Sequence, residues 1–366
     1  SVHLDWLPQQ HIFKVQVRPR LDPGRAAFDL TVVVYRHGED DHRPGPLSIA
    51  VDRPDGKELR RQTVYPSAVN SEVALYTASI PVKRPQLWRP TDPALYALTL
   101  QLKNAVQSHS VTVRTGLREI RVVGPSLQLN GTPIFLRGIS KHEDDPHLGA
   151  TQTAATIQRD LQFVRDMHAN YIRLSHYPHA VQELRAARDM GILVSEEIPF
   201  YQTGIGFGSW LLEGQALWDF PFRQFGMHHL YNPSLMQRTQ QQLIEMIERD
   251  INNPAVIMWS IANETFTFTE AAGQWHGWLA DVARYVDPTR PVTMAEVTVN
   301  VPEVDALRSG AAHMDVISVN MYFGWYYGVA ADAEAHVRAL HERFPDTPII
   351  ISAVSYTHLT LPTNGC

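Results

Sequence analysis

The sequence predicts a multidomain β plus α/β protein, an immunoglobulin-like β-sandwich followed by an incomplete (β/α)₈ TIM barrel. Two observations lead to this prediction. Residues 11–120 contain short runs rich in valine, leucine and tyrosine that alternate with polar residues and are separated by turn clusters. Residues 121–352 instead alternate short apolar runs with amphipathic segments, which is typical of a parallel sheet with helical crossovers.

The first part of the chain contains six runs that predict strands: HIFKVQVRP, AAFDLTVVVY, LSIAVDRP, EVALYTASI, ALYALTLQL and HSVTVRTGL. Turn clusters such as DPG, RPDGK and RPTDP lie between them. Strands at this spacing over roughly 100 residues are typical of an immunoglobulin-like sandwich. The only cysteine is Cys366, so the inter-sheet disulfide of a true immunoglobulin domain is not expected.

The second part opens with a hairpin, for which Asn130-Gly131 supplies the turn. Seven apolar runs then predict parallel strands: IFLRGI, NYIRLS, ILVSEEIP, VIMWSIANE, PVTMAE, DVISVNMY and PIIIS. Helical segments such as TAATIQRDLQFVRDMH and LMQRTQQQLIEMIERD follow most of them. A complete barrel takes about 250 residues and eight β/α units, so this stretch is one unit short.

Composition narrows the classes of partner. The 366 residues are 44% hydrophobic and carry a formal net charge of −6 without a long basic run, so nucleic acid is not an expected partner. No apolar stretch approaches the ~18–20 residues of a membrane span, so a membrane is not expected either. The single cysteine suits a reducing compartment, and a cytoplasmic location is favoured.

Polar residues stand at the carboxyl end of six consecutive predicted strands, which is where barrels of this class carry their chemistry. In chain order they are His142, Glu143, Asp144 and Asp145; His176 and Tyr177; Glu196 and Glu197; Asn263 and Glu264; Glu296; Asn320 and Tyr322. Phosphate binding would favour lysine or arginine. Carboxylates with tyrosine and tryptophan suit a neutral polyol such as a sugar, and glycosyl transfer to water uses two carboxyl groups.

Five segments carry a family resemblance: VIMWSIANE, NYIRLSHYPH, LNGTPIFLRGISKHED, DPTRPVT and VISVNMYFGWYYG. Together they resemble glycoside hydrolase family 2, and the last is closest to the β-glucuronidases of that family. The resemblance covers residues 1–352. It implies a retaining exo-β-glycosidase that removes a terminal β-linked sugar, with a β-glycoside or oligosaccharide as substrate.

The resemblance also implies roles for particular residues. Glu264 resembles the general acid/base, and Asn263 the residue that hydrogen-bonds the sugar 2-hydroxyl. Further substrate-site residues are implied at the other strand ends, together with Glu197 as an additional candidate: His142, His176, Asn320, Tyr322 and Tyr326. No cofactor is expected, because the GIGFG run at 204–208 neither follows a strand directly nor opens an evident helix.

The family pattern places the nucleophilic glutamate directly after the seventh strand, where this chain has Ala353. We therefore expect the chain to be inactive as a hydrolase. Residues 353–366, AVSYTHLTLPTNGC, look like translated vector or adapter sequence, and we expect them to be a non-native tail. Residues 1–10 resemble the end of a jelly-roll sugar-binding domain and its linker, so we expect an internal fragment of a longer enzyme; whether that enzyme is a homo-oligomer is left open.

Two alternatives remain open. A β-galactosidase or β-mannosidase is the first, because Met321 replaces a family arginine and the uronate-binding Asn-x-Lys motif would lie beyond the seventh strand. A non-catalytic carbohydrate-binding barrel protein is the second, and the native residue at position 353 would distinguish it from an enzyme. A metal site is not expected, since His142 and Asp145 have ligand chemistry but no convergent third ligand is evident.

Overall fold

The structure is a computed structural model that describes residues 6–36, 44–103, 108–201, 233–265, 270–296, 310–324 and 328–354. Its contacts divide the chain into two compact units. The first holds Ser1–Glu119 with Arg188–Gly191 and Arg249–Pro254, and the second holds the rest. None of the described helices is long and apolar enough to cross a membrane.

The first unit contains two four-stranded antiparallel sheets. One has the order β1-β2-β6-β5 and the other the order β4-β3-β7-β8. The strands are β1 Gln10–Asp22, β2 Arg25–Arg36, β3 Leu47–Asp52, β4 Glu58–Val64, β5 Ala68–Val69, β6 Val73–Pro81, β7 Tyr96–Lys103 and β8 Ser108–Thr115. Alternate residues of both sheets form one hydrophobic core, which includes Val32, Tyr76, Ile49 and Leu98. The predicted β-sandwich is confirmed.

Sequence patterning missed β4, and its composition explains why. The strand reads ELRRQTV, and none of its residues is fully buried. Without an apolar face, period-two alternation gives no signal. β4 pairs along its length with β3, whose apolar residues supply the core on that side of the sheet.

The second unit opens with a three-stranded antiparallel sheet of order β11-β10-β9. Its strands are β9 Ile120–Val123, β10 Ser126–Leu129 and β11 Thr132–Pro133. The two-residue turn between β10 and β11 is Asn130-Gly131, and both residues have positive φ, as the Asn-Gly pair predicts.

Seven parallel strands follow, hydrogen-bonded in chain order from β12 to β18. They are β12 Gly138–Lys141, β13 Tyr171–Leu174, β14 Leu193–Glu197, β15 Val256–Asn263, β16 Val292–Glu296, β17 Val316–Met321 and β18 Ile349–Val354. The described helices between them are α1 Ala154–Asp166, α2 Val181–Met190, α3 Pro233–Asp250, α4 Glu270–Val286, a 3₁₀ turn at Gly310–His313 and α5 Asp332–Arg343. This is the predicted incomplete β/α barrel.

Local sequence accounts for these elements. All residues of β13 to β17 are buried, so apolar residues occur on both faces of these strands, with buried polar residues such as Arg173 and Glu197 among them. Helix α1 begins after Thr153, whose hydroxyl accepts a hydrogen bond from the Thr156 backbone N–H in a capping box. Its buried residues Ile157, Leu161 and Val164 recur at helical spacing.

The first barrel strand lies further along the chain than its apolar run predicts. IFLRGI suggested a strand at 134–139, but β12 begins at Gly138, and the Phe135 side chain is exposed. A Cβ atom at Gly138 would lie 2.1 Å from the Tyr171 carbonyl oxygen. The close approach of β12 and β13 therefore starts at the glycine, and pairing extends from there to Lys141.

The seven-stranded sheet is nearly closed. The Ser140 hydroxyl on β12 donates a hydrogen bond to the Ser352 carbonyl oxygen on β18 over 2.9 Å, so the first and last strands approach each other. β18 is less buried than β13 to β17, and Ile351 and Val354 are exposed. The carboxyl ends of all seven strands share one rim, which positions the candidate site.

Candidate active site

Strand β15 delivers Asn263 and Glu264 into the rim. Its eight residues are fully buried, and Glu264, the next residue, is only 6% exposed. The Glu264 backbone has φ +48°, a left-handed conformation that residues with a Cβ seldom adopt. Its N–H donates to the Ala295 carbonyl over 2.8 Å, so the turn out of β15 is held by the neighbouring strand β16.

The Glu264 carboxylate accepts two hydrogen bonds, one from a residue of β17 and one from the residue that follows this strand. The Asn320 amide nitrogen donates to Oε1 over 2.7 Å, and the Tyr322 hydroxyl donates to the same oxygen over 2.9 Å. Asn320 is buried and Tyr322 is half-buried. A carboxylate beside a core is costly unless it is hydrogen-bonded, and these donors meet that requirement.

The orientation of the Asn320 amide is set from the next strand. Ser352 on β18 donates its hydroxyl proton to Asn320 Oδ1 over 2.7 Å, so the amide nitrogen is the end that faces Glu264. Strand pairing also places Asn320 opposite Ala353. Position 353 therefore adjoins the residue that holds the Glu264 carboxylate.

Asn263 belongs to the same network. Its Oδ1 accepts from the Arg173 guanidinium over 2.7 Å and from the Asn320 amide over 3.0 Å. Its backbone N–H donates to the Phe200 carbonyl over 3.0 Å. Asn263 is thus fixed through both main chain and side chain, between β13 and β17.

Glu197 and Arg173 form the buried ionic floor of the site. Arg173 Nη2 lies 2.8 Å from Glu197 Oε2, which also accepts from the Ser260 hydroxyl over 2.7 Å. His176 Nδ1 contacts the other carboxylate oxygen over 2.6 Å. Burial favours the neutral acid, but Arg173, His176 and Ser260 outweigh it and lower the pKa of Glu197 below its ordinary value. Glu197 is therefore a charged group that holds Arg173 and His176.

Histidine and tyrosine rings line the rim beside this floor. The His142 and His176 rings meet edge to face with centroids 5.2 Å apart, and the Tyr201 ring stacks on His176 at 5.7 Å. The pKa of His142 lies below its ordinary value, because surrounding protein removes water from part of the ring and because His176 is close.

The structure brings together seven of the eight residues proposed from sequence, in two adjoining groups. Glu264, Asn263, Asn320 and Tyr322 share one network, which Arg173 joins to Glu197 and His176, with His142 beside them. Tyr326 lies outside the described residues, as does the GIGFG run. The catalytic or binding role of each of the eight residues stays a prediction.

Sequence reasoning missed Arg173, Ser260 and Ser352. Each lies inside a strand, where a polar residue among apolar neighbours is easily dismissed. The signal available was alternation: in YIRLS, Arg173 occupies the side of the strand opposite Ile172 and Leu174. A charged residue on the inner side of a barrel strand is costly unless it is paired, as here with Glu197.

One group of possible metal ligands lies next to the site. Glu143, His179 and Glu183 offer ligand atoms within 4.8 Å of one another. The Lys141 ammonium lies 2.9 Å from Glu183 and already supplies a positive charge there. Burial raises the pKa of Glu183, but hydrogen bonding to His179 and the charge of Lys141 outweigh it and lower the pKa overall. In this cluster Lys141 and His179 are the ion-pair partners of the Glu183 carboxylate.

Asp145, whose carboxylate has the chemistry of a metal ligand, is engaged in its own loop. Its carboxylate accepts from the backbone N–H groups of His147 and Leu148 at 2.8 and 2.9 Å. Arg159 lies 3.0 Å from the other oxygen. These three donors, led by the His147 N–H, lower the pKa of Asp145, so its charge serves the loop and helix α1.

The fold and site define a protein with a β-sandwich unit and a parallel β/α barrel whose polar residues converge at the carboxyl ends of the strands. Family comparison identifies it further. The model described as "Glycosyl hydrolases family 2, TIM barrel domain" matches residues 120–366, and "Glycosyl hydrolases family 2" matches residues 10–118. The chain belongs to glycoside hydrolase family 2, which confirms the resemblance seen in the sequence.

Individual relatives agree with this. The chain is similar to the β-glucuronidase of Streptococcus agalactiae, with 30% identity over 366 aligned positions, 97% of this chain and 55% of that protein. It is 31% identical to the β-glucuronidase of Paenibacillus borealis over 252 positions, 68% of this chain and 39% of the other. The solved structure of Bacteroides uniformis β-glucuronidase matches with a TM-score of 0.78 and 25% identity, over 95% of this chain and 41% of that one. The chain thus spans about half the length of these relatives, or less.

Proposed function

We propose that this chain carries the acid/base side of the active site of a retaining exo-β-glycosidase that acts on β-glucuronides. The observation that supports this best is the setting of Glu264. Its carboxylate lies at the rim of a parallel barrel, in a left-handed turn, and accepts from Asn320 and Tyr322. Backbone in a sparsely populated conformation, held by its surroundings, is frequent at active sites.

In the proposed reaction Glu264, as the acid, donates its proton to the glycosidic oxygen while the bond from that oxygen to the anomeric carbon breaks. Asn263 donates to the sugar 2-hydroxyl, a contact that strengthens in the transition state. His142, His176, Tyr322 and Tyr326 contact the sugar ring and its hydroxyls. Glu197 acts through Arg173 and His176, which its buried charge holds in place.

A retaining enzyme needs a second carboxylate about 5–5.5 Å from the first, which attacks the anomeric carbon and forms a glycosyl-enzyme ester. We infer that position 353 is its place, because Ala353 pairs with Asn320, the residue that contacts Glu264. Alanine has no nucleophile, so the chain as it stands should not hydrolyse glucuronides by the covalent route.

The substrate class rests on the relatives, which are β-glucuronidases. Met321 stands where the family resemblance expects an arginine. Among the described residues, none is assigned to binding of a uronate carboxylate. A β-galactosidase or β-mannosidase is therefore the second candidate. A carbohydrate-binding barrel without activity is the third, and Ala353 is the observation that favours it.

An external nucleophile tests the proposal on the chain as it exists. Azide can enter the space left by Ala353 and attack the anomeric carbon of a dinitrophenyl β-glycoside, which releases dinitrophenolate and forms an α-glycosyl azide. We expect no turnover without azide, and azide-dependent turnover that is highest for the β-glucuronide in a panel with the β-galactoside and β-mannoside. Preference for another sugar would overturn the glucuronide assignment.

The variant Ala353→Glu is the matched experiment, in which hydrolysis should be gained without an external nucleophile. It restores the second carboxylate, and we expect it to hydrolyse the glucuronide without azide, with retention of configuration. Binding of glucuronides with no turnover in either experiment would favour the non-catalytic alternative.

A further inference from the structure

A buried histidine outside the rim contacts the chain on both sides of Glu264. His276, on helix α4, is fully buried and lies between the Thr265 hydroxyl, 2.7 Å from Nε2, and the Ala272 carbonyl, 2.7 Å from Nδ1. A carbonyl can only accept, so Nδ1 carries the proton and donates to Ala272. Nε2 of the neutral ring is then an acceptor, and the Thr265 hydroxyl donates to it.

The environment of the ring supports this protonation state. Burial lowers the pKa of His276 to about 4; hydrogen bonding to the Ala272 carbonyl opposes this shift, and nearby His313 adds to it. His276 is therefore neutral at physiological pH. A neutral ring with Nδ1 protonated provides one donor and one acceptor, and both have a partner in the structure.

Thr265 directly follows Glu264 in the chain and is fully buried. The left-handed turn at Glu264 is intrinsically unfavourable and persists only when neighbouring groups hold it. The hydrogen bond from Thr265 to His276 anchors the outgoing side of that turn.

The incoming side is anchored through Phe200. The Phe200 ring stacks on His276 with centroids 6.0 Å apart and an interplanar angle of 27°. The Phe200 carbonyl accepts from the Asn263 N–H, directly before Glu264, over 3.0 Å. His276 thus contacts the residue after Glu264 directly and the residue before it through one intermediate.

The backbone at Gly310 lies close to His276. A Cβ atom at Gly310 would lie 3.1 Å from His276 Cβ and 2.7 Å from Met294 Sδ. The 3₁₀ turn at Gly310–His313 therefore packs closely against this part of α4 because residue 310 is glycine.

We propose that His276 is a positioning residue for Glu264, which fixes the direction of its carboxyl group through Thr265 on one side and Phe200 on the other. The inference rests on the proposed function of Glu264 as the proton donor. A role in core packing alone is the competing explanation, and it makes a different prediction for the reaction.

Leaving groups separate the two explanations. A dinitrophenolate departs without a proton, whereas a phenolate needs one from the acid, so misplacement of Glu264 slows phenyl glucuronide far more than dinitrophenyl glucuronide. General loss of folded protein slows both equally. The measurement is the ratio of azide-dependent rates on the two substrates, for the unmodified chain and for variants of Thr265 and His276.

We expect Thr265→Val, which replaces the hydroxyl with a methyl group of similar size, to lower the phenyl-to-dinitrophenyl ratio by about tenfold. His276→Phe keeps a ring to stack on Phe200 but lacks the acceptor, and should do the same. The double variant Thr265→Val/His276→Phe should lower this ratio no further than either single variant does. Thr265→Ser keeps the hydroxyl, so its phenyl-to-dinitrophenyl ratio should equal that of the unmodified chain. Thr239→Val is the matched control, because it removes a buried hydroxyl that donates to the Leu235 carbonyl within helix α3.

Unchanged ratios in Thr265→Val and His276→Phe, with turnover present, would overturn the inference and leave the proposed function standing. Absence of any azide-dependent turnover in the unmodified chain would count against the proposed function itself. A second measurement is independent of activity: nitrogen NMR of histidine-labelled protein should find His276 neutral with its proton on Nδ1. A proton on Nε2, or a charged ring at neutral pH, would contradict the proposed contacts whatever the assays give.

Discussion

The hydroxyl of Ser352 donates a hydrogen bond to the side-chain oxygen of Asn320 over 2.7 Å. This contact fixes which end of the Asn320 amide meets Glu264, since the amide nitrogen then lies 2.7 Å from the carboxylate. Two neighbouring strands, β17 and β18, therefore cooperate to hold a group delivered by a third, β15. The geometry of the site is a property of strand order as much as of any one residue.

Replacing Ser352 with alanine tests this relationship. The Asn320 amide would lose the bond that orients it, so the donor to Glu264 would no longer be fixed. A hydrogen bond of this kind is worth about 1 kcal/mol, and we expect Ser352→Ala to reduce azide-dependent turnover of phenyl β-glucuronide by roughly fivefold. Ser352→Thr keeps the hydroxyl and is the control. Equal rates for Ser352→Ala and the unmodified chain would show that Asn320 needs no such support.

The second prediction concerns the ionic floor of the site. Arg173→Met would leave the Glu197 carboxylate buried beside His176 and Ser260 without its main counter-charge. We expect a loss of about 3–5 kcal/mol in the free energy of unfolding of the barrel, measured by urea titration at neutral pH.

Arg338→Met is the matched control for that variant. Arg338 pairs with Glu334 on the surface of helix α5, where both side chains are largely exposed. Exposed pairs of this kind contribute about 0.3–0.5 kcal/mol, so this variant should be nearly neutral. Similar losses from Arg173→Met and Arg338→Met would show that the buried pair is not the supporting element described here.

The third prediction is a pH dependence due to His276. Its pKa is about 4 in the folded barrel, lowered chiefly by burial, against an ordinary value of 6.5. Between these two pH values the unfolded chain binds a proton that the folded chain does not. The stability linked to His276 is therefore fully present above pH 6.5 and decreases as the pH falls towards 4, by about 3 kcal/mol in total.

To measure this dependence, the urea midpoints of unfolding of the unmodified chain and of His276→Gln are compared from neutral pH down to pH 4. The unmodified chain should lose stability more steeply. Parallel curves would mean that His276 titrates alike in the folded and unfolded states. The comparison cancels the contributions of the remaining carboxyl groups and histidines, provided that the two proteins unfold in the same way.

Sequence patterns predicted the parts of this protein whose causes are local. The run VIMWSIANE identified both strand β15 and the polar residues that it delivers, because a fully apolar run that ends in Asn263 and Glu264 has few explanations in a barrel. The hairpin turn at Asn130-Gly131 followed from the dihedral angles that these residues tolerate.

The parts that sequence could not supply depend on tertiary partners. β4 has no apolar face of its own and exists because β3 offers it a partner. The role of Arg173 depends on its ion pair with Glu197. The role of His276 depends on its contact with Thr265, which the position of helix α4 in the fold allows. A single buried histidine on a helix gives no signal by itself, since its role depends on which groups its two ring nitrogens meet.

The central claim is that Glu264 stands on the leaving-group side of the bound sugar and position 353 on the opposite side. The configuration of the azide product tests it most directly, read by NMR with dinitrophenyl β-glucuronide as substrate. The unmodified chain should give the α-azide, because azide replaces the missing nucleophile. The double variant Ala353→Glu/Glu264→Ala should give the β-azide, because azide then takes the place of Glu264 in the second step. An α-azide from both proteins, or hydrolysis by Ala353→Glu that is insensitive to loss of Glu264, would contradict the account.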